Sequence, residues 1–230
     1  MRQTTLAFDV YGTLIDTQGI AAMLEGWIGE RAPVLARAWR EKQLEYTFRR
    51  GLMGAYADFD TCTEQALRYC CEALGIALDQ DQEAELLQRY RQLPAFTDAA
   101  PALDRLRADG YRLFAFSNGT AETVSGLLRH AGLEDRFEGV VSVDEIGCFK
   151  PDPRVYRHFL QRANVLPADA WLISGNPFDV IGAQAAGMRT AWLDRSAQRL
   201  FDPWGGAPTT TIRGLGGLAA ALSDSRGKDG

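Results

Sequence analysis

The chain has 230 residues, of which 46% are hydrophobic and 24% charged, and its net charge is −5 at pH 7. This length and composition are typical of a soluble globular protein with one large domain or a domain that carries an insertion. The acidic balance argues against non-specific nucleic-acid binding, because there is no excess of basic side chains to neutralise phosphates. No signal peptide or membrane span is visible, and the four cysteines lack metal-ligand spacing. We therefore expect a cytoplasmic protein with reduced, mostly buried thiols.

A short apolar run at residues 6–8 precedes Asp9, and a turn glycine follows at Gly12. The run predicts a buried strand of a parallel sheet. Ligands of open parallel sheets lie beyond the carboxyl ends of the strands, so Asp9 is a candidate site residue. A lone aspartate after a strand is more often a helix cap or a loop anchor, and that alternative stays open for Asp9 taken alone.

Helical periodicity replaces the strand pattern between residues 15 and about 95. Four helices are predicted, at about 20–28, from Pro33 to about Gly51, at 61–74 and at 80–93. A block of this length is too long for an ordinary crossover connection. It predicts a helical cap domain at residues 15–96, inserted into a core domain that comprises residues 1–14 and 97–230.

Strands and helices alternate after residue 101. The pattern predicts helices at 102–108, 120–130, 152–163 and 178–186, strands at 111–116, 139–143, 170–173 and 189–193, and a last edge strand at 209–212. Such alternation predicts a doubly wound parallel sheet with helices on both faces, in the α/β class. The polar tail from Ser223 is predicted to be frayed.

Polar side chains lie at or just beyond the ends of the predicted strands. They are Asp9, Tyr11 and Thr13; Ser117 and Asn118; Lys150; and Ser174, Asn176 and Asp179. Each set alone has a structural explanation as helix caps, a solvated lysine or an acid at a helix N-terminus. A parallel sheet brings the carboxyl ends of all its strands to one crevice. Purely structural roles explain poorly why all of these polar residues occur there together.

Five stretches carry a family resemblance: D-V-Y-G-T-L from Asp9, W-R-E-K-Q-L-E-Y from Trp39, F-S-N-G from Phe116, F-K-P from Phe149 and S-G-N-P-F-D from Ser174. With them the chain resembles the haloacid dehalogenase superfamily and, more narrowly, the L-2-haloacid dehalogenases, over nearly its whole length. The resemblance implies a Rossmann-like core with a helical cap. It also implies hydrolysis of small (S)-2-haloacids to 2-hydroxyacids through an aspartyl ester, without a cofactor. Members are often homodimers, and the cap near Leu52, Met53 and Tyr56 could form that interface.

Two positions argue against a metal-dependent site. Tyr11 stands where phosphatases of the superfamily carry a second aspartate, and Asn176 stands among the positions of their acidic ligands. Mg²⁺ prefers anionic oxygen ligands in a strict octahedron, so this set would hold it poorly. Lys150 would supply positive charge instead. Two alternatives stay open, a Mg²⁺-dependent phosphatase of small metabolites and a catalytically silent scaffold that binds a partner through the cap.

The resemblance and the chemistry together give each residue an expected role. Asp9 is the candidate nucleophile, oriented by Thr13, because a carboxylate can displace a good leaving group and form an ester. Arg40 and Asn118 correspond to the halide-binding pair, although Arg40 alone would be interpreted as a surface salt-bridge partner. Lys150 separates the carboxylates, which would otherwise repel one another. Asp179, helped by Ser174 and Asn176, is expected to activate water.

The remaining expectations concern substrate binding. Ser117, with the backbone N–H groups at Val10 and Tyr11, is expected to bind the substrate carboxylate. The expected apolar wall consists of Tyr11, Leu44, Phe59 and Phe178, and Tyr156 is expected to contact the site. Ordinary packing remains an alternative for each of these, most of all for Phe59 and Tyr156. Members of the subfamily often carry tryptophan at the position of Phe178 and serine at that of Gly175, which leaves the preferred chain length open.

Overall fold

The computed structural model describes residues 3–226. Six parallel strands form one sheet in the order β3-β2-β1-β4-β5-β6. The strands are β1 (Thr5–Phe8), β2 (Arg112–Ser117), β3 (Gly139–Ser142), β4 (Ala170–Ser174), β5 (Arg189–Leu193) and β6 (Thr210–Ile212). The strand order reverses beside β1, and this is the point at which open parallel sheets form their crevice. The predicted doubly wound sheet is confirmed, with β6 at its edge.

The two central strands are buried along their whole length, because helices cover both faces of the sheet. Phe8 at the end of β1 is level with Ala115 of β2 and with Ile173 of β4. The residues that follow these three strands therefore emerge side by side at one edge of the sheet.

Nine α-helices accompany the sheet within residues 3–226. Those that follow the α/β alternation are α5 (Ala99–Ala108), α6 (Ala121–His130), α7 (Pro153–Arg162), α8 (Pro177–Ala185) and α9 (Leu218–Arg226). The four between β1 and β2, which we call the cap helices, are α1 (Gly19–Ile28), α2 (Ala32–Met53), α3 (Phe59–Leu74) and α4 (Gln80–Tyr90). The bounds predicted for a cap domain, 15–96, stay a prediction.

The cap helices begin and end at residues that are typical of helix termini. Pro33 lies in the first turn of α2, where its missing N–H costs no helical hydrogen bond, and Gly54 ends the helix in the left-handed region with φ +63°. Asp58 caps α3, and Asp79 forms a capping box at the start of α4. Helix α2 packs along α3 through a buried stripe, consisting of Ala32, Leu35, Trp39, Gln43 and Thr47.

Two predicted bounds in the core differ from the structure by more than one residue. Helix α5 begins at Ala99, three residues before the predicted start, because Pro101 within the first turn removes no helical hydrogen bond. The predicted fraying from Ser223 is wrong as far as Arg226, since α9 continues through this segment. Leu218 and Leu222 are buried on α9, which packs beside α5, and this burial stabilises the helix. Residues 227–230 of the predicted tail lie outside the described residues.

Two further sequence expectations concern membranes and thiols. Among residues 3–226, no helix has both the length and the apolar character that a membrane span requires. All four cysteines are buried, in agreement with the expectation of mostly buried thiols.

A close approach of α7 and α8 depends on a glycine. Tyr156 of α7 is fully buried, and its ring lies against Gly182 of α8. A Cβ atom at position 182 would lie 2.7 Å from two carbons of that ring. The missing side chain therefore creates the space that Tyr156 occupies.

We expect Gly182→Ala to lower the free energy of unfolding by about 1–3 kcal/mol, because the added methyl group overpacks a filled core. Gly126 of α6 is a matched control, since a Cβ there meets nothing within 4 Å. Gly126→Ala should raise the free energy of unfolding by up to about 1 kcal/mol through helix propensity. Denaturant unfolding of both variants measures the difference, and equal effects would contradict the packing argument.

Candidate active site

Asp9 lies directly after β1 and is 7% exposed. Its Oδ2 accepts hydrogen bonds from Thr13 Oγ1 at 2.8 Å, from Asn176 Nδ2 at 2.8 Å and from Ser174 Oγ at 3.3 Å. The first donor comes from the turn after β1, and the other two come from the end of β4 and the residues after it. The sheet register thus supplies the partners of this carboxylate from two neighbouring strands.

Thr13 is held in one orientation by the turn that follows β4. The N–H of Gly175 donates to Thr13 Oγ1 at 2.8 Å, so the Thr13 hydroxyl proton is free to point to Asp9. A Cβ atom at position 175 would lie 2.7 Å from the carbonyl oxygen of Gly12. Glycine at position 175 therefore permits the close approach of the two turns in this chain.

Lys150 is buried between two carboxylates. Its Nζ lies 3.2 Å from Asp9 Oδ1, 2.8 Å from Asp179 Oδ2 and 2.9 Å from the carbonyl oxygen of Phe116. The ammonium also lies 4.1 Å from the centroid of the Phe116 ring. The side chain is 2% exposed, so the alternative of a solvated surface lysine is wrong.

The backbone of Lys150 is fixed by Asn118, which follows β2. The N–H of Lys150 donates to Asn118 Oδ1 at 3.0 Å. Because the amide oxygen is engaged, the Nδ2 group of Asn118 is the part that can donate to a ligand. Asn118 is 8% exposed, and its position couples the end of β2 to the lysine loop.

Asp179 lies in the first turn of α8 and has no exposed surface. Its Oδ1 accepts a hydrogen bond from the hydroxyl of Tyr156 at 2.8 Å. Burial raises the pKa of Asp179, the ammonium of Lys150 opposes the rise, and the charge of Asp9 adds to it. Burial and the charge of Asp179 raise the pKa of Tyr156 well above its usual range, so this hydroxyl remains a donor.

Ser174 and Asn176 differ from the expectation that they assist Asp179. Both donate to Asp9 Oδ2, whereas the side-chain hydrogen bonds of Asp179 come from Lys150 and Tyr156. The reason is the direction of the turn after β4, which points residues 174 and 176 toward β1 before α8 begins.

Ser117 is fully buried at the end of β2. Its Oγ accepts a hydrogen bond from the N–H of Gly119 at 3.1 Å, so its hydroxyl proton remains available to a ligand. Val10 is also fully buried, and its carbonyl oxygen accepts from the turn residues that follow it. The two residues lie at the carboxyl ends of paired strands.

Aromatic rings connect this edge of the sheet to the cap helices. The centroid of the Tyr11 ring lies 5.3 Å from the ring centroid of Phe59 on α3 and 5.5 Å from that of Tyr90 on α4. The Phe178 ring on α8 lies 5.2 Å from that of Phe48 on α2. Leu44 is half-buried on α2, one turn after Arg40. The predicted wall thus includes contacts between the sheet edge and three of the cap helices.

Arg40 is half-buried on α2, and its Nη1 donates to Oε1 of Gln43 at 2.6 Å. Arg40, Gln43, Trp39 and Tyr90 border a small cavity of about 50 Å³. Burial raises the pKa of the Tyr11 hydroxyl well above its usual range, and the charge of Arg40 acts against this rise. The charge of the Arg40 guanidinium therefore influences Tyr11, which lies two residues after Asp9. The hydrogen-bond partner of this guanidinium is the neutral amide of Gln43.

Three polar residues of the cap were not predicted as part of this arrangement. They are Gln43, Thr63 and Tyr90, which are joined by hydrogen bonds to one another and to Arg40. The sequence did hold one signal. Gln43 continues the buried stripe of α2 at helical spacing after Leu35 and Trp39, where an apolar side chain is expected.

The centre of the site combines two carboxylates with one buried ammonium group. In the part of the chain that the structure describes, no three histidine, cysteine, aspartate or glutamate side chains come together as a metal site. The space between Asp9 and Asp179 is filled by an ammonium group. A carboxylate in this position can act as a nucleophile toward carbon.

Comparisons with known proteins agree with this geometry. The family model of haloacid dehalogenase-like hydrolases matches residues 4–187. The chain is 36% identical to (S)-2-haloacid dehalogenase H-109 of Pseudomonas putida, with 95% of this chain and 97% of that protein covered. It is 34% identical to haloacetate dehalogenase H-2 of Moraxella sp. (strain B), with 90% and 92% covered.

A solved structure is similar over the same length. It is the L-2-haloacid dehalogenase of Xanthobacter autotrophicus with chloropropionic acid covalently bound, at a TM-score of 0.90 and 32% identity, with 96% of this chain and 99% of that chain covered. The sheet order, the helices between β1 and β2 and these similarities lead to one conclusion: the chain belongs to the haloacid dehalogenase-like hydrolases, in the L-2-haloacid dehalogenase subfamily.

Proposed function

We propose that this hydrolase of carbon–halide bonds converts small (S)-2-haloacids to 2-hydroxyacids through an ester on Asp9, without a metal ion. The observation that carries the proposal is the buried ammonium of Lys150 between Asp9 and Asp179. It places one cation between two carboxylates, one for each half of a two-step hydrolysis. The covalently bound chloropropionic acid of the Xanthobacter relative supports the ester intermediate.

In the first step, Asp9 attacks the α-carbon of the haloacid. Among the described residues, Asp9 Oδ1 has a hydrogen bond only with Lys150, whereas Oδ2 accepts three. Oδ1 therefore retains the freer lone pairs and forms the new C–O bond. The C–halogen bond breaks on the opposite side, and its electron pair leaves with the halide. This in-line displacement inverts the α-carbon.

The departing halide needs hydrogen-bond donors, because negative charge moves from Asp9 to the leaving group. Arg40 retains most of its five N–H donors after its contact with Gln43, and Asn118 retains its Nδ2 donors. These two groups form the proposed halide site. Arginine suits this role, because its guanidinium stays charged at any working pH.

In the second step, water attacks Cγ of Asp9 and its proton passes to Asp179. The carbonyl oxygen that gains negative charge is Oδ2, which already has donors in Thr13, Ser174 and Asn176. These donors form an oxyanion hole for the tetrahedral intermediate. Collapse of the intermediate breaks the bond between Cγ and Oδ1, and the released 2-hydroxyacid oxygen takes the proton back. The second proton of the attacking water leaves to solvent as the aspartyl carboxyl ionises, so the original carboxylate is restored with one oxygen from water and the net reaction releases one proton.

Substrate binding uses the ends of β1 and β2. The hydroxyl of Ser117 and the backbone N–H groups at Val10 and Tyr11 bind the substrate carboxylate. The α-substituent lies against Tyr11, Phe59, Phe178 and Leu44. Phe178 is in edge contact with Phe48, which joins this wall to α2.

The homodimer and the cytoplasmic location stay predictions. Leu52 and Met53 at the end of α2 are 91% and 76% exposed and offer an apolar patch to a second copy of the chain. Tyr56 instead contacts the core, because its hydroxyl donates to Asp144 at 2.7 Å and its ring lies 4.9 Å from that of Phe149.

We expect halide release from 2-chloropropionate to survive exhaustive chelation, because Lys150 supplies the charge that a metal ion would provide. The measurement is halide release after EDTA treatment, with and without added Mg²⁺. Phosphate release from small phosphate esters serves as the control activity. Loss of halide release in EDTA with recovery in Mg²⁺ would contradict the electrostatic argument and favour the phosphatase alternative.

The covalent step predicts where solvent oxygen enters. With enzyme in excess over a 2-haloacid in H₂¹⁸O, a single turnover should give mostly unlabelled 2-hydroxyacid and ¹⁸O in the peptide that contains Asp9. Mass spectrometry of both products measures this. Labelled product with an unlabelled peptide would mean that water attacks the substrate directly and that Asp9 acts as a base.

The raised pKa of Asp179 predicts the acid limb of ester hydrolysis. Asp179 must be ionised to accept a proton, so the hydrolysis rate should fall with decreasing pH at a value above the ordinary aspartate range. The hydrogen bond from Tyr156 lowers this pKa, so Tyr156→Phe should shift the limb to higher pH. Single-turnover rates of ester hydrolysis, measured across pH, define this acid limb. The rate of ester formation in the same samples is the control. A shift to lower pH in Tyr156→Phe would overturn the assignment of Asp179.

A further inference from the structure

A buried amide on α2 holds the guanidinium of Arg40. Gln43 is 1% exposed, and its Oε1 accepts hydrogen bonds from Arg40 Nη1 at 2.6 Å and from the hydroxyl of Tyr90 at 3.2 Å. Its Nε2 donates to Thr63 Oγ1 at 2.5 Å. Both ends of the amide therefore have partners, as a buried polar group requires.

The orientation of this amide follows from the position of one proton. The hydroxyl of Thr63 donates to the carbonyl oxygen of Phe59 at 2.7 Å, so its oxygen is left as an acceptor toward Gln43. Only the NH₂ end of the amide can donate to that oxygen. The oxygen end of Gln43 must then face Arg40 and Tyr90, both of which are donors. Trp39 reinforces the arrangement, since its Nε1 donates to the Thr63 carbonyl oxygen at 2.8 Å.

A neutral acceptor has a specific consequence for the neighbouring cation. A carboxylate at this place would orient Arg40 equally well but would cancel its charge, whereas an amide orients it and leaves the charge for a ligand. Arg40 and Gln43 are three residues apart on one helix face, so the contact does not depend on a movement of the cap.

We infer that Gln43 is a positioning residue for the halide site: its locked amide holds Arg40 in place and preserves the positive charge that the departing halide needs. This inference rests on the proposed function, in which Arg40 binds the halide. We assign Gln43 a role through Arg40 and no contact with the substrate or the leaving group. Its influence should therefore appear only through Arg40 and should depend on the leaving group.

The test is a double-mutant cycle of Gln43→Met and Arg40→Ala, measured by turnover of 2-chloropropionate and 2-bromopropionate. Gln43→Met should lower kcat for the chloride by about 10–100-fold, because misplacement of a catalytic group by about 1 Å has an effect of this size. The loss should be smaller for bromide, which is the better leaving group. In the Arg40→Ala background, Gln43→Met should lower kcat no further, since the two changes remove the same contribution.

Thr47→Val is the matched control, because Thr47 lies one turn further along the buried stripe of α2 and donates only to the Leu44 carbonyl oxygen. It should lower the melting temperature while the ratio of bromide to chloride turnover stays unchanged. A Gln43→Met variant that keeps the parent ratio, or whose loss adds fully to that of Arg40→Ala, would reduce Gln43 to a structural role and overturn the inference.

Two further outcomes separate this inference from the proposed function. A parent enzyme that releases no halide contradicts both, whereas halide release with a strong Arg40→Ala defect and an unaffected Gln43→Met contradicts the inference alone. If Gln43→Met does not fold, Gln43→Glu replaces it, with an acceptor oxygen kept and the charge of Arg40 cancelled. Gln43→Glu should then lose inhibition by added bromide, and parental inhibition would overturn the inference.

Discussion

The site depends on one buried ammonium group. Moving Lys150 and two carboxylates out of water is costly, and the cost is offset only because Nζ has three oxygen partners and an aromatic face within reach. Without this cation, Asp9 and Asp179 would repel each other in a low-dielectric interior, and one would take up a proton. The sheet topology makes the arrangement possible, because β1, β2 and the start of α8 each bring one oxygen to the same point.

The two oxygens of Asp9 differ in their hydrogen bonds, and in the proposed mechanism this difference assigns one oxygen to each step. Oδ2 is held by three donors from two turns, so the carboxylate has one fixed orientation before any substrate arrives. Oδ1 faces only Lys150 among the described residues and remains able to attack. In the proposed mechanism, the same donors that orient the nucleophile in the first step stabilise the oxyanion in the second. Preorganisation of this kind requires no movement of the protein between the steps.

Periodicity and topology account for what the sequence could predict. Short apolar runs predict the strands of the sheet, and capping residues mark the ends of the cap helices. A parallel sheet then brings Asp9, Lys150 and Asp179 into one crevice. The sequence could not show that Ser174 and Asn176 contact Asp9, because that choice depends on the direction of a turn over a few ångströms. Helix α9 was missed because its stability comes from Leu218 and Leu222 packing on the core, which local composition does not reveal. Gln43 was missed because a polar residue on a helix is usually solvated.

The charges on the cap helices and at the sheet edge are complementary in a way that suits the proposed displacement. Before reaction, the core holds Asp9 and Asp179 against one Lys150, and the substrate carboxylate adds a further negative charge. In the proposed first step, ester formation removes the charge of Asp9 and places it on the halide, so negative charge moves away from Lys150. In this mechanism, a cation on the cap helices interacts more strongly with the halide as the carbon–halogen bond breaks. An interaction that strengthens in the transition state lowers the barrier and does more than tighten substrate binding. Arg40 can supply that gain only if its charge is not already neutralised, and an amide partner at Gln43 satisfies this condition.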